Sequence, residues 1–287
     1  MAVGHGKAVV ITGASTGIGA ACAIHLDRSG FLVFAGVRSM QDGTDLKQRG
    51  SHRLIPLLLD VTDAESIRKA KVIVSEQVGT GGLYGIINNA GIAVVGPLEA
   101  VPIAELRRQL EVNLIGQVAV TQAFLPLIRK AQGRVVMMGS IAGRAAMPLM
   151  GPYAASKFAL EAITDALRLE VRQWGIQVSI VEPGAIATPI WEKSGRDATD
   201  LEAATRPELR DLYGALIYSV RAVVRKAAER AIPAEVVAKS VENALTATRP
   251  KTRYLVGIDA KLRALMAKLL PDRISDEVLA WVLKLPQ

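Results

Sequence analysis

Residues 12–19 read T-G-A-S-T-G-I-G, and they stand between a short apolar run at residues 8–12 and a helical pattern at residues 18–29. Glycines in such a turn let the chain bend tightly and let its backbone approach a pyrophosphate closely. The helix that follows offers free N–H groups and the positive end of its dipole to a phosphate. We therefore interpret the stretch as a strand–turn–helix unit that binds a phosphorylated cofactor; an ordinary βα turn with incidental glycines is the simpler alternative.

Short apolar runs and longer helical patterns alternate along the chain. Strands that are apolar almost throughout, with helices between them, indicate a parallel sheet that is covered on both faces. We therefore predict an α/β fold with one doubly wound sheet of about seven strands; a (β/α)8 barrel is the alternative, and the glycine turn weighs against it. The predicted strands are 8–12, 32–37, 53–59, 85–88, 134–138, 177–181 and 253–256, and the predicted helices are 18–29, 63–78, 103–130, 153–174 and 233–248.

No repeat, low-complexity tract or linker divides the chain, so we predict a single domain over residues 1–287. Residues 1–189 would form the core that binds the cofactor and carries the catalytic groups. Residues 190–232 lack a clear strand and follow a strand end, where α/β folds place substrate lids. Residues 233–287 would supply the last strand and the C-terminal helices.

The composition excludes several classes of protein. One cysteine among 287 residues excludes a disulfide framework and a cysteine zinc site, and the three histidines lack spaced partners, so we expect no metal. No signal sequence is visible at the N-terminus, and no window approaches the roughly 18 uncharged apolar residues of a membrane span. We therefore expect a soluble protein of the reducing cytoplasm.

The formal net charge of +8 leaves nucleic acid, an anionic membrane and a phosphorylated cofactor as candidate partners. Residues 221–287 carry +6 of this charge, whereas residues 1–220 are nearly neutral. No basic stripe with interleaved aromatic residues is present, so we expect no nucleic-acid partner. The positive charge therefore belongs to the C-terminal part of the chain rather than to the predicted cofactor site.

The end of the second predicted strand bears on the choice of cofactor. An acidic residue there would bond a ribose 2′-hydroxyl and favour NAD, whereas an arginine nearby accommodates the 2′-phosphate of NADP. Here Val37 takes the place of the acid and Arg38 follows it. A guanidinium matches a phosphate in a bidentate way, so we expect NADP(H) to be preferred, and NAD(H) stays open because Arg38 is also explained as a solvated loop charge.

A tyrosine and a lysine four residues apart are the candidate acid–base groups. Tyr153 and Lys157 begin a helical pattern and share one helix face. A phenol is a poor acid–base group at neutral pH unless a cation stabilises its phenolate, and Lys157 is spaced to do so; a packed tyrosine and a solvated lysine are the simpler alternative. Ser140 follows a strand at the sheet edge where ligands bind, and Asn113 is an amide in an apolar helix, where it needs partners.

Together these motifs resemble the short-chain dehydrogenase/reductase family, and their order and spacing fit over about residues 7–190. The resemblance rests on T-G-x-x-x-G-I-G at 12–19, N-N-A-G at 88–91, Asn113, Ser140, Y-x-x-x-K at 153–157, and P-G at 183–184. It implies a Rossmann-type fold with the strand order 3-2-1-4-5-6-7. It also implies hydride transfer between a nicotinamide cofactor and an alcohol/carbonyl pair.

The resemblance implies a role for each matched residue. Tyr153 would protonate the developing alkoxide in reduction and take the hydroxyl proton in oxidation, and Lys157 would stabilise the phenolate and bond the nicotinamide ribose. Ser140 would hold the substrate oxygen, and Asn113 would support a water that replenishes the proton. The residues implied to bind the cofactor are Gly13, Ala14, Ser15, Thr16, Gly17, Ile18, Gly19, Arg38, Asp60, Val61, Asn89, Ala90, Gly91, Tyr153, Lys157, Pro183, Gly184, Ile186 and Thr188.

The runs at residues 34–36, 124–129 and 181–184 resemble the retinol, hydroxysteroid and hydroxybutyrate dehydrogenase branch, which implies a small hydrophobic alcohol or ketone as substrate. One alternative is an NAD-dependent dehydrogenase of a small hydroxy acid, for which Arg144 is the obvious anchoring cation. Another is a catalytically idle regulator that only binds the cofactor. The residues expected in or near the substrate pocket are 141–150, Ile190, Trp191, Leu212, Tyr213, Leu216 and Ile217.

Two surfaces are candidate contacts with partners. The resemblance implies a homodimer or homotetramer built on the long helices at 103–130 and 153–174. In the C-terminal segment, apolar residues recur at helical spacing among basic ones, and they are Leu262, Leu265, Met266, Leu269 and Leu270. Packing against the protein body or a second copy is the simpler interpretation, and weak contact of this basic helix with a membrane surface is the alternative.

Overall fold

The computed structural model describes residues 3–190 and 207–284. The elements that build the fold follow one another along the chain in an alternating order. They are β1 (Ala8–Ile11), α1 (Gly17–Arg28), β2 (Leu32–Val37), α2 (Met40–Gln48), β3 (Leu54–Leu58), α3 (Ala64–Val78), β4 (Gly85–Asn88), α4 (Ile103–Leu110), α5 (Gly116–Ala131), β5 (Arg134–Met138), α6 (Gly151–Glu170), β6 (Gln177–Pro183), β7 (Ile186–Ala187), α7 (Pro207–Glu229), β8 (Ile232–Pro233), α8 (Ala234–Thr246), β9 (Arg253–Val256), α9 (Ile258–Leu269) and α10 (Asp272–Leu283).

Seven parallel strands form the central sheet in the order β3-β2-β1-β4-β5-β6-β9. β2 and β3 are added on one side of β1, and β4 and the later strands are added on the other, so the strand order switches between β1 and β4. At such a point the loops on either side diverge and open a crevice at the carboxyl ends of the strands. The predicted doubly wound fold and its strand order are therefore confirmed, with β9 as the seventh strand of the prediction.

Helices cover both faces of this sheet, which explains why β1 is apolar at every position. Successive side chains of a strand point to opposite faces, so Val9 and Ile11 pack under α1 and α8. Ala8 and Val10 belong to the other core, under α3, α5 and α6. All four side chains of β1 are buried, and the strand is held from both sides.

The long helix predicted over residues 103–130 forms, but one of its turns is irregular. α4 and α5 run into each other through a π-helical turn at Glu111–Ile115, and such turns occur mostly at functional sites. The helix predicted over 153–174 ends at Glu170 and is followed by a short 3₁₀ turn, Arg172–Trp174. α2 was not predicted, because Met40–Gln48 is mostly polar and shows no apolar period.

The predicted lid region begins and ends at a second, two-stranded sheet. β7 and β8 pair in parallel, with Ile186 opposite Ile232, so the two ends of the insertion are held together. α7 occupies most of the described part of the insertion. Residues 191–206 of the predicted lid, which include Trp191, lie outside the described residues.

One helix in the described ranges, Ile103–Ala131, is long and apolar enough by length and composition to cross a membrane, so the expectation that no window comes close was wrong. A core helix passes the same test. The side chains of Val120, Phe124 and Ile128 are fully buried in the core under the sheet. Packing against the sheet therefore accounts for the apolar character of this helix.

Candidate active site

A cavity of about 1260 Å³ opens at the carboxyl edge of the sheet. One part of it is lined by the glycine turn and by the loops after β2, β3 and β4. The other part is lined by the loops after β5 and β6 and by α7, α9 and α10. The predicted site residues that line it are Gly13, Ser15, Thr16, Gly17, Ile18, Arg38, Asp60, Val61, Asn89, Ala90, Gly91, Ser140, Tyr153, Lys157, Pro183, Gly184, Ile186 and Thr188.

Three glycines give the turn before α1 its shape. Gly13 and Gly17 have φ values of +64° and +57°, a left-handed conformation that strains any residue with a Cβ. A Cβ at Gly19 would lie 2.2 Å from the carbonyl oxygen of Gly13. The backbone of the turn therefore approaches the cavity with no side chain in between at these positions.

The N-N-A-G loop after β4 supports the glycine turn from behind. The Thr12 hydroxyl accepts hydrogen bonds from the backbone N–H groups of Asn89 and Ala90, each at 2.9 Å. The Asn89 side-chain amide donates to the carbonyl oxygens of Thr12 and Gly13, each at 3.0 Å.

Ala14 and Gly19 are buried behind the cavity wall, so among the predicted cofactor residues these two shape the turn rather than face the cavity.

The loops after β2 and β3 form the far end of the cavity. Arg38 is exposed and lines the cavity directly after β2. The carboxylate of Asp60 accepts hydrogen bonds from the backbone N–H of Thr62 at 2.9 Å and from its hydroxyl at 2.7 Å. These bonds fix the loop in which Asp60 and Val61 line the cavity.

The Asn113 amide is fully buried in the π-helical turn and does not line the cavity. Its oxygen accepts from the backbone N–H of Ile92 at 2.9 Å, and its nitrogen donates to the carbonyl of Ile92 at 3.0 Å and to the Ser156 hydroxyl at 3.2 Å. Ser156 donates in turn to the carbonyl of Tyr153 at 2.7 Å. The Asn113 side chain therefore ties the segment after β4 to the first turn of α6.

Two glutamines on the same stretch of helix also bond the backbone of the segment after β4, and sequence reasoning missed them. Gln109 accepts a hydrogen bond from the backbone N–H of Val94 at 2.6 Å. Gln117 donates to the carbonyl of Ala90 at 3.0 Å. Both side chains are fully buried and lie four residues before and after Asn113. Amide side chains that recur every four residues in an apolar helix would have been the signal, because buried amides need hydrogen-bond partners.

Tyr153 and Ser140 form a hydrogen bond at the wall of the cavity. Burial raises the pKa of Tyr153, and the hydrogen bond with Ser140 lowers it in part. The Ser140 hydroxyl also accepts from the backbone N–H of Ala142 at 3.1 Å, so it is fixed at the end of β5. The phenol is therefore protonated at neutral pH and stands beside a second, fixed hydroxyl.

Lys157 is buried one helical turn after Tyr153. Its Nζ donates to the carbonyl oxygen of Met138 at 2.7 Å and lies 5.7 Å from the centroid of the Tyr153 ring. Burial lowers the pKa of Lys157 to about 8, while the nearby Glu161 carboxylate acts in the opposite direction. At neutral pH the Lys157 side chain is therefore a cation, and it lies close enough to Tyr153 to stabilise the ionised form of the phenol.

Glu161 lies a further turn along α6 and belongs to a cluster of charged groups behind the site. Its carboxylate accepts from Arg253 Nε at 3.1 Å, and Arg253 also donates to Asp165 at 2.7 Å. Burial and the charge of Glu182 raise the pKa of Glu161 to about 7, against the effect of Arg253. Glu161 therefore carries most of its charge only above neutral pH.

Glu182 is the fully buried member of the same cluster, on β6. Arg144 Nη2 donates to its Oε1 at 3.0 Å, and Arg253 Nε lies 3.6 Å from the same oxygen. Arg144 lines the cavity, but its charge is balanced by this carboxylate, so the expectation that it could anchor a hydroxy acid loses its basis.

No group of three or more side chains in residues 3–190 and 207–284 could hold a metal ion.

The turn after β6 is shaped by a residue that the sequence did not single out. The Asp259 carboxylate, in the first turn of α9, accepts from the backbone N–H of Ala185 at 2.7 Å. A Cβ on Gly184 would lie 2.1 Å from an oxygen of that carboxylate. Only glycine therefore fits there, and α9 is fastened to the loop that borders the cavity.

The substrate side of the cavity is mostly apolar, and its lining differs in part from the prediction. Ile190 and Ile217 line it as expected, whereas Leu212, Tyr213 and Leu216 do not. Leu212 is exposed, and the Tyr213 hydroxyl donates to Glu99 at 2.9 Å. The C-terminal helices contribute apolar lining that was not predicted, from Met266, Leu270, Val278, Leu279 and Val282.

Comparison with known proteins finds relatives along almost the whole chain. A family model described as short chain dehydrogenase matches residues 7–199. Retinol dehydrogenase 5 of Mus musculus is 40% identical over 284 residues, which are 97% of this chain and 89% of that protein. NADPH-dependent 3-dehydrocapnine reductase of Ornithobacterium rhinotracheale is 36% identical over 274 residues, which are 94% of each protein.

A solved structure shares the fold over its full length. It is a short chain dehydrogenase from Burkholderia cenocepacia J2315 in complex with NADP, with 25% sequence identity and a TM-score of 0.73. The similarity covers 100% of this chain and 100% of that chain. The alignment therefore includes the elements that line the cavity in this chain.

Proposed function

Because this chain belongs to the short-chain dehydrogenase/reductase family, we propose that it interconverts an apolar alcohol and its carbonyl, with Tyr153 as the proton-transferring group and NADP(H) as the preferred cofactor. The family makes the chain an NAD(P)-dependent oxidoreductase that acts on alcohols or carbonyls. The observation that carries the proposal is the position of Tyr153, Ser140 and Lys157 on a largely apolar cavity that extends to the glycine turn.

The glycine-turn side of the cavity fits a nicotinamide dinucleotide. Gly13 and Gly17 leave two positions of the turn without a side chain, and the N-terminus of α1 is suited to a pyrophosphate. Asp60 and Val61 would hold the adenine at one end, and Thr188 would border the nicotinamide at the other. When bound, the cofactor supplies or accepts the hydride, and the protein supplies orientation and proton transfer.

Tyr153 would complete the reaction by moving one proton. In reduction its hydroxyl donates a proton to the substrate oxygen while the carbon receives a hydride; in oxidation the phenolate takes the proton of the alcohol. Ser140 is fixed beside it and would donate a hydrogen bond to the same substrate oxygen. This pair places the reacting carbonyl at one point of the cavity wall.

Lys157 would make the phenolate accessible at working pH. Burial alone raises the pKa of Tyr153, so a nearby ammonium is needed to stabilise the charged form. The Nζ of Lys157 is held by the Met138 carbonyl on one side, and its remaining hydrogens are available to a cofactor hydroxyl. Glu161 would act as a positioning residue, because its charge favours the ammonium form of Lys157.

The preference for NADP(H) rests on Arg38. This residue lines the cavity at the end of β2, where Val37 takes the place of the acidic residue that would favour NAD. One relative is named an NADPH-dependent reductase, and one solved relative is in complex with NADP. Thr16 stands where many family members that use NADP carry a basic residue, so NAD(H) is the second candidate.

The proposed substrate is a bulky apolar alcohol or ketone. The cavity on the substrate side is lined by Ile190, Ile217 and the inner faces of α9 and α10. The relatives named retinol dehydrogenase and 17-beta-hydroxysteroid dehydrogenase point to the same class. A small hydroxy acid is disfavoured because Arg144 is paired with the buried Glu182.

The proposed oligomer is a homodimer or homotetramer built on the long helices. Ile115 is half exposed in the π-helical turn between α4 and α5, and Phe158 and Leu169 are exposed on α6. Large apolar side chains on neighbouring helix faces are typical of subunit interfaces. These faces lie on the far side of the helices from the sheet, so association through them would leave the cavity open.

We expect Tyr153→Phe to lower kcat by about 10²- to 10⁴-fold, because it removes the transferred proton while keeping the ring. Cofactor binding, measured by quenching of protein fluorescence, should stay nearly unchanged. Tyr218→Phe is the matched control, because Tyr218 is exposed and does not line the cavity. Wild-type turnover by the Tyr153→Phe enzyme would refute the proposed proton transfer.

We expect Arg38→Asp to lower the ratio of kcat/KM with NADPH to kcat/KM with NADH by roughly ten- to a hundredfold, because a charge-assisted contact with the 2′-phosphate is lost. Arg49→Asp is the control, since Arg49 is an exposed arginine at the end of α2 and does not line the cavity. An unchanged ratio in Arg38→Asp would contradict the assignment of this residue.

We expect Glu161→Gln to move the alkaline limb of the kcat/KM profile to lower pH by about one unit. Without the carboxylate, the Lys157 ammonium loses its proton at a lower pH, and Tyr153 loses its cation. Asp165→Asn is the control, because it removes a half-exposed carboxylate from the same Arg253. A drop in rate with no movement of the profile in Glu161→Gln would show a purely structural role.

A further inference from the structure

Helix α9 presents three different sides, and only two of them are explained by the fold and the cavity. Ala260 and Ala264 are buried against the protein. Met266 and Leu270 line the substrate side of the cavity. The third side faces away from both, and it carries the largest apolar side chains of the helix.

The apolar residues of this third side are spaced by four, three and four positions, which places them in one narrow row along the helix. Each is between 53 and 85% exposed, so packing within the chain leaves most of its surface open. A row of large, exposed apolar side chains marks a contact with a partner or a membrane. We call it the outer stripe, and it consists of Ile258, Leu262, Leu265 and Leu269.

We propose that the outer stripe docks this enzyme on the surface of an anionic lipid membrane, from which the cavity receives its apolar substrate. The exposed lysines Lys261 and Lys268 follow one edge of the stripe. An apolar row bordered by basic residues is the pattern of helices that lie in the membrane interface. Helices α9 and α10 carry no net charge as a whole, so the attraction to anionic headgroups comes from Lys261 and Lys268 beside the stripe.

The exposed surface is continuous with the cavity. Met266, which lies four residues after Leu262 and therefore beside the stripe, is partly exposed and also lines the cavity. Val282 on α10 is 45% exposed and lines it as well, and the neighbouring Trp281 is 81% exposed. Tryptophan is favoured where an apolar and an aqueous phase meet. A membrane against α9 and α10 would therefore adjoin an opening of the substrate cavity.

A second copy of the chain fits this surface less well. In a two-fold dimer the same patch meets itself, so the lysines beside the stripe would be brought towards their own copies. Lysine is depleted in the cores of protein interfaces, whereas anionic lipid balances its charge. The outer stripe and its lysines are thus better matched by a lipid surface.

The proposal rests on the proposed function only in taking the substrate to be apolar. Its test measures membrane binding directly and turnover separately, so the two can fail independently. The full chain is sedimented with large vesicles of phosphatidylcholine and phosphatidylserine, and with vesicles of phosphatidylcholine alone, at low and high salt. Turnover is followed with a short, water-soluble ketone.

We expect the wild-type chain to sediment with the anionic vesicles, and less so at high salt because salt screens the lysines. Leu262→Gln combined with Leu265→Gln should weaken this binding by at least about tenfold, with turnover of the soluble ketone unchanged. Val72→Gln combined with Ile73→Gln is the control, since these two residues are each 45% exposed on α3. Lys261→Gln combined with Lys268→Gln, which removes no apolar surface, should weaken binding to anionic vesicles only.

Three results would overturn the proposal. The first is a wild-type chain that does not sediment with anionic vesicles. The second is equal binding by the wild type, the leucine variant and the lysine variant. The third is a dimer, measured by analytical ultracentrifugation, that dissociates in Leu262→Gln/Leu265→Gln, which would assign the stripe to a second copy. Should the leucine variant fail to fold by circular dichroism, the lysine variant decides between these outcomes.

Discussion

The hydrogen bond from Lys157 Nζ to the carbonyl of Met138 holds the candidate active site together. It fixes α6 to the end of β5, and it thereby places Tyr153 beside Ser140, which follows the same strand. An ammonium inside a protein is costly unless other charges compensate it. Glu161, one turn further along α6, provides the nearest negative charge.

The charged cluster behind Lys157 links the site to the rest of the fold and restricts what the cavity can bind. Arg253 brings β9 into contact with Glu161 on α6 and lies near Glu182 on β6. The same Glu182 balances Arg144 at the cavity wall. The charge of Arg144 is therefore balanced inside the protein, and the proton-transfer groups stay at the cavity wall.

The parts of the fold that depend on local sequence were predictable, and the parts that depend on distant partners were not. Apolar strands and the glycine turn identified the sheet and the cofactor side of the cavity, and the family resemblance supplied the strand order. α2 was missed, although Ser39 as its N-cap, accepting from the N–H of Gln41 at 3.2 Å, is a local signal for its start. Gln109 is buried because it bonds the backbone of Val94, which lies 15 residues before it, and Asp259 acts on a turn 74 residues away. The placement of Tyr153 and Lys157 needed no distant information, because one helical turn relates them.

Transfer of deuterium from the cofactor tests the central claim most directly. The enzyme is given a long-chain apolar ketone and NADPH that carries deuterium at the transferred position of its nicotinamide ring. The alcohol product is then examined by mass spectrometry. We predict one deuterium on the carbinol carbon and none on the hydroxyl, whose hydrogen exchanges with water. An alcohol without deuterium on that carbon, or no alcohol from any apolar ketone with either cofactor, would contradict the account.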